Sequence, residues 1–230
     1  MKRYFIKNGT CKLEVTDWEG TDPSLTPILF MPGMLGTAVS FQNEIETNWR
    51  DRRCVSLSFR GRGQSDAPGQ GYQLADHVSD IVSVVEQLAL MSGVIIVAHS
   101  RGVPYALGFA ANHPCAVKAL ALLDHPPFHL PIEPAWAEKL CAQIRPGMPP
   151  EKVIRALQRE ADFRDLRGAL AGLTCPVLLV AGGQPGSMLS REDIAEFGRG
   201  IKSCVLHVEE GAGHELETLP LRKLLGPMIQ

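Results

Sequence analysis

The feature that most constrains this chain is a set of short apolar runs in which polar residues do not alternate. They occur at Pro27–Met31, Cys54–Phe59, Val94–Val97, Val117–Leu123, Val177–Val180 and Cys204–Val208. A strand with one wet face alternates apolar and polar side chains, whereas a strand covered on both faces does not. Between most of these runs lie amphipathic stretches of helical length. In Gln73–Leu90, the residues Leu74, Val78, Ile81, Val84, Val85 and Leu88 recur at spacings of three and four, the period of one helix face. Buried strands alternating with helices imply an α/β protein with a mostly parallel central sheet flanked by helices. The beginning of the chain differs. Tyr4–Lys7 and Lys12–Trp18 flank Asn8-Gly9 and predict an antiparallel hairpin at the sheet edge.

The pattern breaks after Asp124. His125-Pro-Pro-Phe-His-Leu-Pro131 can neither extend a strand nor begin a regular helix. Helical segments are expected near Glu133–Ile144, Glu151–Ala161 and Phe163–Leu173, before Thr174-Cys-Pro176 opens the next strand. The reading is one domain over 1–230, with 125–173 inserted as a small cap over one end of the sheet. The 230 residues suit a single core of that size.

Composition removes several function classes. The net charge is −2, which supplies no field for nucleic acid or an anionic membrane. No apolar run reaches the roughly 20 residues of a membrane helix, and MKRYFIKNG at the start lacks the apolar stretch of a signal peptide. The six cysteines form no Cys-x-x-Cys pair, so they read as reduced thiols of a cytoplasmic protein.

The candidate chemistry centres on Ala98-His-Ser-Arg-Gly102. A serine nucleophile needs an exposed hydroxyl, a base to take its proton and N–H donors for the oxyanion. A strand turning directly into a helix exposes the hydroxyl and supplies a donor, provided that small residues stand two before and two after the serine. Ala98 and Gly102 meet that condition. Serine also caps helices, so this stretch alone leaves both roles open.

Here the chain resembles the α/β-hydrolase superfamily, whose elbow is Gly-x-Ser-x-Gly, with Ala98 in place of the first glycine. Three further segments resemble it in the required order. Phe30-Met-Pro-Gly-Met-Leu-Gly36 is similar to the oxyanion loop, with Pro32 replacing the usual histidine. Arg60-Gly-Arg-Gly-Gln-Ser-Asp66 is similar to the turn after the next strand, and Gly211-Ala-Gly-His214 to the histidine loop. The resemblance implies that Ser100 is the nucleophile and His214 its base. It also implies that the backbone N–H groups of Met34 and Arg101 form the oxyanion hole.

The acid is displaced. The superfamily usually carries it after the strand that is here Pro176–Ala181, but Gly182-Gly-Gln-Pro-Gly-Ser-Met-Leu-Ser190 has no carboxylate. Glu192 and Asp193 read with Ser190 as the first turn of a helix. Asp124, at the carboxyl end of its strand and so on the rim where such sheets place their sites, is the favoured substitute. Glu209 and Glu210 are the weaker candidates, and a Ser–His dyad is the remaining one.

Arg101 is expected either to lean into solvent or onto a surface carboxylate, or to face the site and meet Asp124 or an acidic substrate group. His125 and His129 read as loop histidines, with no metal site. Phe128 and Trp136 are expected to line an apolar pocket. The leading function is hydrolysis of a small carboxylic ester, thioester or lactone, with a small-molecule substrate and no cofactor. C–C bond hydrolysis, elimination or cofactor-free oxygenation by a His214–Asp124 base is the alternative. A non-catalytic ligand-binding protein is the third.

Overall fold

The computed structural model describes residues 1–229. Lys2–Asn8 (β1) and Cys11–Trp18 (β2) form the expected antiparallel hairpin, with Gly9 at positive φ in the turn. Ile28–Met31 (β3), Gln42–Asn48 (α1), Cys54–Leu57 (β4), Leu74–Gln87 (α2), Val94–His99 (β5), Gly102–Asn112 (α3) and Val117–Leu123 (β6) follow. The sheet resumes at Val177–Gly182 (β9) and Cys204–Glu209 (β10). Arg191–Gly200 (α7) lies between these two strands, and Leu221–Leu225 (α8) comes after them. The eight-stranded sheet has the order β1-β2-β4-β3-β5-β6-β9-β10. It is antiparallel at β1, β2 and β4 and parallel from β4 onward.

The apolar runs are buried on both faces because each face meets helices. In β5, Val94, Ile96 and Ala98 join one core with Ile81, Val84 and Val85 of α2 and Phe109 of α3. Ile95 and Val97 join the opposite core with Phe41, Ile45 and Trp49 around α1 and Leu221 and Leu225 of α8. Each fully buried aliphatic side chain of this kind stabilises the fold by about 1.5–3 kcal/mol before entropy is counted. The core thereby holds β5 in the middle of the sheet, and its carboxyl end is a rigid platform.

Between β6 and β9 the chain leaves the sheet. It forms Phe128–His129 (β7), Pro134–Cys141 (α4), Glu151–Glu160 (α5), Arg164–Asp165 (β8) and Arg167–Leu170 (α6). Ile132, Ala137, Val153, Ile154 and Leu157 pack in this insertion around Tyr72 of the main body. The helix expected over Phe163–Leu173 is corrected. Arg164–Asp165 pairs antiparallel with Phe128–His129 instead, and the Asp165 carboxylate accepts from the Arg167 amide at 2.9 Å. That local bond offers the backbone an alternative to helix, and only the α6 turn remains helical. No helix among the described residues is long and apolar enough to cross a membrane. All six cysteines are free thiols.

Candidate active site

β5 delivers Ser100 onto a sharp turn. Ser100 has φ of 53°, a left-handed conformation that costs a non-glycine residue on the order of 1–3 kcal/mol. The turn is held by its neighbours. The Ser100 amide donates to Leu123 O of β6 at 2.9 Å, and its carbonyl accepts from Val103 N at 2.8 Å at the start of α3. Gly102 has no room for a side chain, since a Cβ there would lie 2.7 Å from Met31 O and 3.0 Å from Pro32 O. Gly33 is equally close to the serine, with a Cβ site 2.9 Å from Ser100 Cβ. The loop after β3 is thus pressed against the turn after β5.

Two side chains converge on this serine. His214, from the loop after β10, places Nε2 2.8 Å from Ser100 Oγ and Nδ1 2.8 Å from Asp124 Oδ2. Asp124 stands at the end of β6, fully buried and itself at positive φ. Glu209 lies 3.4 Å from His207 instead, and the Glu210 carboxylate lies beside the Gly183 backbone. Both weaker candidates for the acid are therefore corrected, because Asp124 and neither glutamate meets the imidazole of His214.

The segment after β9 that lacks a carboxylate supplies donors in its place. Ser187 Oγ donates to Asp124 Oδ1 at 2.5 Å, Met188 N to Oδ2 at 2.9 Å and Gly182 N to Oδ1 at 3.3 Å. Burial works to raise the Asp124 pKa, but the bonds from His214, Ser187, Met188 and Gly182 outweigh it and hold the carboxyl down at about 2. Asp124 is therefore an anion, bound on one side by a loop and on the other by the histidine. Ser190 and Asp193 form the reciprocal cap of α7, as their spacing predicts.

The sequence did not single out His99, which supports the histidine loop from below. Its Nε2 donates to His214 O at 2.7 Å. Its Nδ1 lies 2.8 Å from Glu217 Oε1, close enough for an ion pair but off the hydrogen-bond direction. Burial pushes the His99 imidazole down, yet Glu217 and the His214 carbonyl pull harder and leave its pKa raised. A His immediately before the serine was the available signal; its partner, 118 positions away, was not.

For Arg101 the expectations of solvent, of a surface carboxylate and of Asp124 are corrected. Its side chain neither reaches solvent nor meets Asp124; the residue is 6% exposed. Nε donates to Tyr105 Oη at 3.2 Å, and Nη2 donates to His129 Nε2 and to Leu130 O, each at 2.9 Å. Accepting from a guanidinium requires a bare Nε2, so the His129 proton sits on Nδ1 and is donated to Asp162 O at 2.8 Å. A parallel arrangement lies deeper. Arg62 Nη1 faces His77 Nε2 at 3.0 Å, His77 Nδ1 faces Gln73 O at 2.8 Å, and the His77 ring stacks on Tyr105 at 4.2 Å. Arg62 Nε also donates to Met34 O at 2.9 Å and so fastens the loop after β3.

A cavity of about 350 Å³ opens above the serine, lined by Met34, Ser100, Arg101, His125, Met188 and His214 and walled by Leu130–Glu133 and Trp136. Among the described residues, neither the Met34 nor the Arg101 amide donates to another protein group. Trp136 lines this cavity as expected, but Phe128 does not. Phe128 packs against Phe163 at 5.7 Å and under the Arg167 guanidinium at 5.4 Å, because the β7–β8 ribbon turns it outward. His125 Nδ1 lies 2.9 Å from Pro126 O, a contact within its own loop.

A mostly parallel sheet with a serine on a left-handed strand-to-helix turn, and a histidine from a later loop bonded to it, defines the class of α/β hydrolases. The family model for the alpha/beta hydrolase fold matches residues 26–140, half of the chain, and the protein belongs to that family. Among curated proteins it is 25% identical over 134 residues to a cis-3-alkyl-4-alkyloxetan-2-one decarboxylase of Shewanella oneidensis, matching 56% of this chain and 41% of that one. It is 28% identical over 132 residues to a 2-(acetamidomethylene)succinate hydrolase of Mesorhizobium japonicum, matching 57% and 46%. The matched stretch therefore spans less than half the length of these relatives. Among solved structures, N-formylmaleamic acid deformylase of Pseudomonas putida superposes with a TM-score of 0.80 at 20% identity, covering 98% of each chain. An esterase of Exiguobacterium antarcticum does so with 0.77 at 21%, covering 98% of this chain and 97% of its own. At these identities the superpositions speak to the fold.

Proposed function

We propose that this protein is a serine hydrolase of small carboxylic esters, thioesters or lactones, with Ser100, His214 and Asp124 as its triad. The observation that carries the reading is the unbroken hydrogen-bond chain from Ser100 Oγ through both nitrogens of His214 to Asp124. In the reaction, Ser100 Oγ bonds to the substrate carbonyl carbon while His214 Nε2 takes the hydroxyl proton. The Met34 and Arg101 amides receive the negative oxygen. Expulsion of the leaving group breaks its bond to that carbon, and His214 returns the proton to it. Water then adds to the acyl enzyme by the same route, releasing the acid and restoring the Ser100 hydroxyl. Asp124 keeps the proton of neutral His214 on Nδ1 and stabilises the imidazolium. The 125–173 insertion acts as the cap that shapes the acyl pocket.

The names of the relatives agree with acyl transfer, since esterase, hydrolase and deformylase all occur among them. A fluorophosphonate probe tests it: wild-type protein is labelled at Ser100, and Ser100→Ala is not. A folded wild type that resists the probe would count decisively against the reading. The decarboxylase among the relatives motivates one alternative, a lyase in which the His214–Asp124 pair acts and Ser100 only orients. Turnover retained in Ser100→Ala but lost in His214→Ala would favour it.

A further inference from the structure

We propose that the substrate of the Ser100 cavity carries a carboxylate, and that the Arg101 guanidinium holds it. This rests on the reading of that cavity as the acyl pocket. The argument begins from a missing counterion. Arg101 is buried, yet no carboxylate among the described residues comes within ion-pair distance of it. Its three bonds go to a phenol, a neutral imidazole and a backbone carbonyl. These engage Nε and Nη2 but leave the charge uncompensated, and an uncompensated buried charge is costly. Arg60 shows the contrast. Buried to a similar degree, it meets Asp80 at 2.6 and 2.9 Å.

The surroundings do not neutralise Arg101. Arg62, fully buried nearby, is bonded to Met34 O, Arg60 O and His77, with no carboxylate of its own. Asp124 is committed to His214, and Asp162 pairs with Arg164 at 2.6 Å. Glu133 stands exposed at the cavity rim without reaching Arg101. The remaining guanidinium nitrogen of Arg101, Nη1, has no protein partner among the described residues and is not sealed from solvent. Because Arg101 follows Ser100 directly and both line the cavity, a carboxylate on Nη1 belongs to the same small molecule as the carbonyl over Ser100. Leu130, Ile132, Trp136 and Met188 leave an apolar wall for the atoms between.

Two measurements test this. Monomethyl glutarate and dimethyl glutarate are titrated calorimetrically into Ser100→Ala protein, with and without Arg101→Gln. The acid should bind and the diester should not compete with it, and Arg101→Gln should weaken the acid at least tenfold, whereas Arg101→Lys should recover part of the loss. In parallel, wild-type kcat/KM is compared for p-nitrophenyl hydrogen glutarate and p-nitrophenyl valerate. The acid ester should be preferred at least tenfold, and Arg101→Gln should collapse that preference mainly through KM. A purely structural Arg101 would lower both esters by the same factor and overturn the proposal, as would equal binding of acid and diester. Acid binding that depends on Arg101, in a protein that hydrolyses neither ester, would leave the carboxylate site standing and remove the hydrolase reading instead.

Discussion

At the scale of single residues, the arrangement turns on Asp124 at the end of β6 and on the loop after β9 that donates to it. Asp124 leaves β6 in a left-handed conformation, which aspartate and asparagine adopt more readily than other side-chain-bearing residues. Asp124→Asn should therefore keep the backbone while giving His214 a partner that no longer favours the productive tautomer. Ester hydrolysis should fall by about 10³–10⁴ in kcat, measured by steady-state kinetics with circular dichroism as the folding control. A loss below tenfold would mean that the Ser100–His214 pair works without it. The sequence was informative about Asp124 because an acid was missing from one rim loop and present on another. It could not show that Ser187 Oγ and the Met188 amide would bind that acid, since a serine in a loop has many uses. The placement of Arg101 away from solvent and from Asp124 was hidden for a related reason. Its partners Tyr105, His129 and Leu130 are set around it by the insertion folding back, and no local pattern encodes that. Phe128 differs likewise: it is an apolar residue of the insertion, but a two-residue ribbon turns it away from the cavity.

At the scale of elements, strand and helix order followed directly from the unalternating apolar runs, because burial on both faces leaves that mark on every strand. The β7–β8 ribbon was invisible, since two residues have no period and Phe163–Leu173 carries enough leucine and alanine to suggest a helix. The junction of β5 and α3 was the most legible element, and its packing explains why. Small residues are required there by contact with the loop after β3, not only by the turn itself. Gly102→Ala would set a methyl 2.7 Å from Met31 O, so either α3 or the Met31–Met34 backbone must move. Overpacking of this kind costs about 1–3 kcal/mol, and a shift of 1 Å in a catalytic arrangement can cost about 100-fold in rate. The expected outcome is a folded variant with a modestly lower urea midpoint and labelling of Ser100 by fluorophosphonate slowed by about that factor. Labelling at the wild-type rate would show that the loop and the turn are not coupled.

At the scale of the whole molecule, the neutral histidines between the insertion and the sheet make the fold sensitive to acid. Burial first, then the charge of Arg101, holds both His125 and His129 down at about 4 despite their bonds to backbone carbonyls. His77 is likewise held well below the ordinary imidazole value by burial and by Arg62. A base with a depressed pKa is neutral in both states above about pH 6.5, so it makes no difference there. As pH falls from 6.5 toward 4, the unfolded chain takes up these protons and the folded one does not, so stability declines. For His125 and His129 the loss is on the order of 3 kcal/mol each at 1.36 kcal/mol per unit, a large part of the roughly 5–15 kcal/mol of an ordinary domain. Asp124, at about 2, continues the loss as pH falls below 3.8, because the unfolded chain takes up that proton while the folded carboxyl stays ionised down to about pH 2. His99 acts in the opposite sense. Its raised pKa makes its pairing with Glu217 fully effective below 6.5, and that contribution fades as pH rises through the folded value. Stability should therefore be greatest near neutrality and fall steeply toward pH 4. Urea unfolding at pH 7.5 and pH 5 measures it, with a lower midpoint expected at pH 5. His129→Gln, which can still accept from Arg101 but cannot titrate, should flatten that difference. Equal midpoints at the two pH values would mean that these imidazoles exchange protons freely in the folded protein, and that the Arg101–His129 contact opens far more readily than its burial implies.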